Sequence, residues 1–358
     1  MPATAISNAV PDQPAIAVPK TLEAALDPAF LSQALASVSG GAPVTSVETV
    51  ELLRTVATKV RFAVTFGDSA EQHGFCLKGL LDVDEMTARG GSTCVLEGDF
   101  YSKVAPNVNV RVPEAVAVVT DREAQQSVLI MRDLIAGGAH FCSALEAFDS
   151  DQALASLGQL AALHAGSAFL NGAPWIKPRA AELARANYVS AEQLQELMDG
   201  PRREGVPANV LNAAKLIDGV KELANRDEGR RQFMIHGDSH AGNNFRTAQG
   251  SGLIDWQLLQ KGGWALDVAY HLCAVLPVEL AETDERRLMG EYLAMMRGHG
   301  FAMPGGEEAW TQYREAVMYG YYLWAITKRV DPPIIVQFFH RLGNAAARHD
   351  SFALLGVA

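Results

Sequence analysis

In TLEAALDPAFLSQALA, Leu22, Leu26, Phe30 and Leu31 recur at helical spacing, and Gly40-Gly41 closes the segment, which predicts a short docking helix. From Val47 to about Val119 the pattern changes to extended pieces, VETVELL, KVRFAVTF and GFCLKGLL, with GDSAEQHG as the turn between the second and third. Short apolar-rich runs bounded by a polar turn predict antiparallel hairpins. STCVLEGDFYSKV predicts a helix over 92–104, with Ser92 as N-cap and Pro106 past its end, and EAVAVVT and SVLIM add two strands.

Beyond Met131 the periodicity turns helical. In QALASLGQLAALHAGSAFL, Leu154, Leu157, Leu160, Ala161 and His164 recur at three and four, and further helices are expected around 180–197, 207–224, 264–276, 284–298, 307–328 and 333–347. Residues 233–257 read as short strands and loops. The pattern predicts an α+β protein with an N-terminal extension and docking helix (1–40), a small β-rich domain (41–134) and a larger helical one (135–358). The length of 358 residues suits two such cores.

Composition narrows the function. Hydrophobic residues at 49% and charged residues at 20% describe a folding chain, and 30 basic against 41 acidic residues leave a net charge of −11, which disfavours nucleic acid as a partner. Cys76, Cys94, Cys142 and Cys273 form no Cys-x-x-Cys pair, so a reducing cytoplasm is the expected compartment. The first twenty residues hold four prolines and no positive charge before Lys20, unlike a secretory signal, and read as a loose extension. No uninterrupted apolar run reaches the length of about 18 residues that spans a bilayer, so a membrane is not expected as a partner. No feature of the sequence speaks to oligomeric state.

The chemistry concentrates in FMIHGDSHAGNNFRTAQGSGLIDWQ. Asp238 precedes Asn243 by five positions and Asn243 precedes Asp255 by twelve, so a loop and a hairpin bring two carboxylates and an amide oxygen together. Hard oxygen ligands of this kind suit Mg²⁺ that also holds phosphate, and the remaining carboxylate can take a hydroxyl proton. The spacing H-x-D-x-x-x-x-N is that of a kinase catalytic loop.

His236-Gly237-Asp238-Ser239-His240-Ala241-Gly242-Asn243, followed by Leu253-Ile254-Asp255-Trp256, resembles the aminoglycoside phosphotransferase and choline kinase superfamily, and within it the ecdysteroid kinase-like branch. The resemblance implies a protein kinase-like bilobal fold, with Asp238 as catalytic base, Asn243 and Asp255 as magnesium ligands, and His236 as the loop-shaping member of the catalytic set. It also implies Asp267 as the residue that opens the following helix, where a carboxylate suits the exposed amides. Lys78, flanked by apolar residues on the third strand, is the expected cation for nucleotide phosphates. LEGDFYSKVAP resembles the family's E-x-x-F-Y helix, which implies Glu97 as the carboxylate orienting Lys78, with Glu85 as fallback. VLIMRDL resembles the segment joining the lobes, which implies that backbone groups from Met131 to Asp133 pair with an adenine. LAALHA matches a family signature too, but its helical spacing reads as core, so His164 is not a catalytic candidate.

The departures matter. LLRTVATKVRF contains no glycine where a phosphate loop is expected, so the backbone amides around Val56 to Thr58 and the Thr58 hydroxyl are the expected substitutes. No G-x-x-x-x-G-K-[ST] is present, which removes a P-loop NTPase. Asp255 is followed by Trp256-Gln257 rather than Phe-Gly, which disfavours a protein kinase. The expectation is an ATP- and Mg²⁺-dependent phosphotransferase acting on a hydroxyl of a small-molecule alcohol. The alternative is a non-catalytic nucleotide-binding sensor or scaffold. His240 and Trp256 are candidate substrate contacts, Asn244 reads as structural, and Tyr321, Tyr322 and Trp324 read as core more than as pocket wall. A cationic amine, an aminoglycoside and a steroid-like alcohol all remain open as acceptors, as does GTP in place of ATP; the branch resemblance tilts toward the hydrophobic alcohol.

Overall fold

In the computed structural model, which describes residues 16–54, 57–186 and 188–357, the alternation in KVRFAVTF becomes strand β2 (Thr58–Phe66), with Val60, Phe62, Val64 and Phe66 buried on one face. β1 (Val44–Arg54), β3 (His73–Gly79), β4 (Ala115–Asp121) and β5 (Gln126–Arg132) complete an antiparallel sheet in the order β1-β2-β3-β5-β4. The proline-rich extension up to residue 15, Thr55 and Val56 lie outside the described residues.

The docking helix forms as three short ones, Leu22–Ala25, Pro28–Ala34 and Ala36–Ser39. Asp27 causes the first break, because its carboxylate accepts the N–H groups of Ala29 and Phe30 and restarts the helix at Pro28. Leu31, Ala34 and Leu35 then join Phe62, Phe75, Leu77, Val116 and Ile130 in one apolar core. The opposite sheet face carries the polar residues: Lys59 stands across from Lys78, and Arg61 across from Cys76.

The helix expected over 92–104 runs Gly91–Asp99, widens to a π-turn over Phe100–Val104 and tightens over Ala105–Asn107. Gly90 is the N-cap, so Ser92 sits inside the helix rather than capping it. Ser102 Oγ donates to the Gly98 carbonyl, the acceptor its own N–H would use in an α-turn.

The chain divides into two units. The first runs to Val108, adds Val112–His140 and takes back Asp255–Leu258, while the second holds Asn109–Arg111, Phe141–Ile254 and everything from Leu259. The second unit is helical: Ser150–Ala165, Arg179–Arg185, Ala191–Asp199, Ala213–Glu228, Trp264–Val275, Val278–Gly298, Gly306–Ile326, Pro332–Arg348 and Ser351–Leu354. The helix expected over 180–197 is split, because Ser190 and Gln193 form a capping box that starts a new one. The helix expected from 207 begins at Ala213, behind the Asn212 cap, and the one expected from 284 begins at Val278, after Pro277. Residues 233–257 hold the strand Phe233–Ile235 and the hairpin Asn244–Thr247/Gly250–Leu253, and Gln260–Gly262 pairs back with the first strand. Ser150–Gly172 is long and apolar enough to cross a membrane by length and composition, and here it buries Ala153, Leu157, Leu160 and Leu163.

Two glycines probe the packing. A Cβ at Gly320 would collide with the Tyr270 ring and meet Leu342 Cδ2 at 3.1 Å, whereas one at Gly290 would meet nothing within 4 Å. Gly320→Ala is expected to lower the urea midpoint at unchanged m-value by about 1–3 kcal/mol. Gly290→Ala, in an open helix position, should gain up to about 1 kcal/mol.

Candidate active site

The loop that carries the HGD motif is hung from one buried carboxylate. Strand Phe233–Ile235 is buried throughout, and directly after it the N–H groups of His236 and Gly237 donate to Asp267 Oδ2 at 2.7 Å and Oδ1 at 2.9 Å. Gly237 reaches this position with φ 77°, a conformation glycine adopts without penalty. His164 Nε2 donates to Asp267 Oδ2 at 3.1 Å, and Ser239 Oγ donates to the Asp267 carbonyl at 2.9 Å. Burial alone would raise the Asp267 pKa, but the His164 bond and charge, together with the loop N–H groups, outweigh it and hold it below the usual aspartate value. Asp267 therefore does not cap its own helix, as the sequence led us to expect; it sits in the first turn of Trp264–Val275 and reaches across to the loop.

His236 is fully buried and shapes the same loop. Its Nδ1 accepts the Asp238 N–H at 3.2 Å, which assigns the proton to Nε2, donated to the Ile254 carbonyl at 2.9 Å. His271 fixes the next turn, with Nδ1–H donating to the Ser239 carbonyl at 2.7 Å and Nε2 paired with Ser156 Oγ at 2.6 Å. Burial pushes the His271 pKa down to about 4.

Asp238 is held at both oxygens. Tyr270 Oη donates to Oδ1 at 3.1 Å and Asn243 Nδ2 donates to Oδ2 at 3.2 Å, yet 27% of the side chain stays exposed. Trp324 Nε1 in turn donates to Tyr270 Oη at 2.7 Å. Asn243 Nδ2 also donates to the Asp238 carbonyl at 2.8 Å, which leaves Asn243 Oδ1 as the atom for a cation. His240 caps the turn Ala241–Asn243, accepting the Gly242 N–H at 3.0 Å, and its ring packs 5.3 Å from Trp324 and 5.0 Å from Phe338. It is a loop-forming residue, and Asn244, buried with Nδ2 donating to the His240 carbonyl, is another. Tyr321, Tyr322 and Trp324 are buried core. The sequence did not single out Tyr270, Tyr319 or Arg179. Tyr270 lies three positions after Asp267, on the same helix face, which was the available signal. Tyr319 Oη donates to the Gly237 carbonyl, and Arg179 Nε donates to Tyr319 Oη at 2.6 Å.

The first unit contributes a separate cluster. Lys78 on β3 is buried, with Nζ 2.7 Å from Glu97 Oε2 and 3.0 Å from Asp255 Oδ1. Burial alone would lower the Lys78 pKa, but the Asp255 and Glu97 charges and their hydrogen bonds outweigh it and hold it above the ordinary lysine value. Asp255 adopts φ 65°, a left-handed conformation uncommon outside glycine. The Trp256 N–H that follows donates to Glu97 Oε1 at 3.3 Å. Trp256 itself is a correction: it is fully buried and stacks on Phe100 at 3.7 Å, so it is core of this unit rather than a substrate contact.

Two more expectations are corrected here. Thr58 is buried and its hydroxyl donates to the Leu81 carbonyl at 2.9 Å, so its proton serves the fold, and Val56 lies outside the described residues. Met131 pairs with Cys76 on one side and Ala115 on the other, and the N–H groups of Arg132 and Asp133 donate to the Glu114 and Gly74 carbonyls. The Asp133 carboxylate binds the Arg61 guanidinium. Strand pairing thus occupies the N–H groups of Arg132 and Asp133, two of the backbone groups expected to read an adenine.

Asn243 Oδ1 in the second unit and the Asp255 carboxylate in the first are each a hard oxygen donor of the kind Mg²⁺ takes. Among the described residues no three His, Cys, Asp or Glu side chains gather as a metal site on their own. The sequence profile of APH, the phosphotransferase enzyme family, matches residues 90–313, more than half of the chain. The chain belongs to that family. The matched region of this phosphotransferase-family chain takes in Glu97, the HGD loop, Asp255 and Tyr270. No curated protein sequence matches the chain. Solved structures similar to it include an ethanolamine kinase from Plasmodium vivax, 12% identical over 86% of this chain and 82% of that one with a TM-score of 0.47. An aminoglycoside-3'-phosphotransferase of type VIII is 18% identical over 81% and 98%, with a TM-score of 0.42. A choline/ethanolamine kinase family protein from Mesorhizobium loti is 12% identical over 91% and 97%, with a TM-score of 0.45.

Two stability predictions follow from the loop's supports. Asp267→Asn places an amide donor among the loop N–H groups and is expected to cost about 3–5 kcal/mol in denaturant unfolding. For His271 the folded pKa lies near 4 and the unfolded one near 6.5, so below pH 6.5 the unfolded chain binds a proton the folded chain refuses. Stability should therefore fall on acidification from pH 6.5 toward 4, by about 3 kcal/mol from this residue. In His271→Asn, which keeps a donor for Ser239, urea midpoints measured across pH 7 to 4.5 should show a shallower acid slope.

Proposed function

We propose that this chain transfers the γ-phosphoryl group of ATP, in the presence of Mg²⁺, to a hydroxyl of a small molecule. The observation that carries the reading is Asp238, a carboxylate fixed at both oxygens yet open to a substrate over a quarter of its surface. In the proposed step Asp238 accepts the hydroxyl proton of the acceptor, the acceptor oxygen bonds to the γ-phosphorus, and the bond from that phosphorus to the bridging oxygen breaks to release ADP. Lys78, held by Glu97, neutralises phosphate charge, and His236, Asn243 and Tyr270 keep the base in one orientation. Asn243 and Asp255 would hold Mg²⁺, which supplies charge neutralisation on the phosphates when bound.

A hydroxylated hydrophobic molecule is our first choice of acceptor, on the resemblance to the ecdysteroid kinase-like branch. We place the chain in a reducing cytoplasm, a reading supported by four free thiols. A second reading, nucleotide binding without catalysis, draws on the glycine-free β1–β2 connection, which spans only three residues because Arg54 pairs with Thr58.

One experiment separates the two. Radiolabel transfer from γ-labelled ATP or GTP to a panel of small alcohols and amino alcohols is expected for the wild type. Asp238→Asn should lower its rate by about 10²- to 10⁴-fold while nucleotide affinity stays the same. Nucleotide binding with no transfer to any acceptor favours the non-catalytic reading, and an unimpaired Asp238→Asn removes Asp238 as base.

A further inference from the structure

We propose that Lys59 is a second phosphate-binding cation, a side chain doing what backbone N–H groups do in a glycine-rich loop. The inference rests on the phosphotransferase reading and names a residue of that same site. It begins with the β1–β2 connection. Of its three residues the described one, Ala57, is buried in a small apolar cluster with Leu80 and Cys94. Thr58 beside it is paired with Arg54 and Gly79, and its hydroxyl is spent on Leu81. Ala57 and Thr58, the described residues at this end of the hairpin, are thus taken up by packing and pairing.

Lys59 is the next residue. It stands directly opposite Lys78 in the β2–β3 register, so both side chains leave the same face of the sheet. Lys59 Nζ lies 4.0 Å from Asp255 Oδ2, while Lys78 Nζ lies 3.0 Å from Oδ1, which places Asp255 between two cations. The two lysines differ in freedom. Lys78 has 6% of its side chain exposed and is held by two carboxylates, whereas Lys59 has 30% exposed. Among the described residues the ion pair of Lys59 is the single contact to Asp255 at the outer limit of such pairs.

A partly exposed ammonium whose ion-pair partner lies 4.0 Å away exchanges that partner readily for a polyanion, since exposed ion pairs are weak. The charges agree. Lys59 and Lys78 balance Glu97 and Asp255, so this cluster has no surplus positive charge until Asp255 is engaged elsewhere, and Lys59 is then the cation left without a carboxylate. Lys78 fixes the phosphate position, and Lys59 adds a mobile donor over it.

The test is calorimetric titration of wild type, Lys59→Met and Lys59→Arg with ATP and with AMP in Mg²⁺ buffer, with thermal unfolding of each variant alongside. Losing one charge-assisted phosphate contact should weaken ATP binding in Lys59→Met by about 10- to 100-fold. AMP, which lacks the β- and γ-phosphates, should bind all three proteins alike, and Lys59→Arg should recover most of the ATP affinity. An ATP affinity for Lys59→Met within about twofold of wild type overturns the assignment and leaves the phosphotransferase reading standing. An equal loss for ATP and AMP overturns it as well, because it marks a general defect. A folded wild type that binds neither ATP nor GTP brings down the phosphotransferase reading, and Lys59 with it.

Discussion

A carboxylate with no exposure to water, Asp267, is the point on which the HGD loop depends. Taking a charge out of water costs several kcal/mol, and a single partner does not offset that. Asp267 is served by three donors, the N–H groups of His236 and Gly237 and the ring of His164, which come from a strand end and a distant helix. The arrangement works in both directions: the donors keep the carboxylate ionised, and the carboxylate prevents the chain from leaving strand Phe233–Ile235 along any other path. Because Gly237 is turned to φ 77° at that moment, Asp238 emerges with its backbone already committed. Such a backbone anchor fixes the Asp238 side chain more firmly than contacts at its tip alone would.

The small unit uses the same economy of buried charge with the sign reversed. Lys78 is the buried ion, and Glu97 and Asp255 surround it at 2.7 and 3.0 Å. Glu97 is itself pinned by the Trp256 N–H, and Trp256 is clamped by its stack on Phe100, so the apolar core of this unit reaches within one residue of the charged cluster. Asp255 accepts a left-handed backbone to connect the two, a strain of about 1–3 kcal/mol that the surrounding bonds must outweigh.

How far this was legible in the sequence follows from how local each signal is. His236, Asp238, Asn243 and Asp255 fall in one stretch of twenty residues with fixed spacing, and Lys78 stood out as a lone charge flanked by apolar residues on a strand. The strands themselves were visible because alternation is a property of adjacent residues. Trp256 was misjudged because the partner that makes it core, Phe100, lies far back in the chain, where the local pattern around Trp256 does not point. His164 read as one more position on an apolar face, which is true of its helix, and the reason it is polar appears only with Asp267, 103 residues away. Helix ends failed where capping competed with periodicity: Asp27, Ser190 and Asn212 each offered an oxygen to start a new helix inside a pattern that ran on.

The supports of Asp238 extend beyond its direct partners. Tyr270 comes from helix Trp264–Val275 and Trp324 from the end of Gly306–Ile326, and a helix end leaves carbonyl groups without partners. Two guanidinium groups meet that need. Arg341 Nη1 donates to the Ala274 carbonyl at 2.7 Å, and Arg202 donates to the carbonyls of Trp324, Ala325 and Thr327 at 2.9, 2.6 and 3.0 Å. A cation at a helix C-terminus is also favoured by the helix dipole, which compensates part of the burial that pushes the Arg341 pKa down to about 10. The position of the Tyr270 hydroxyl against Asp238 is therefore set by how firmly two helix ends are closed. Arginines far from Asp238 in sequence take part in orienting it through the helix-end carbonyls they satisfy.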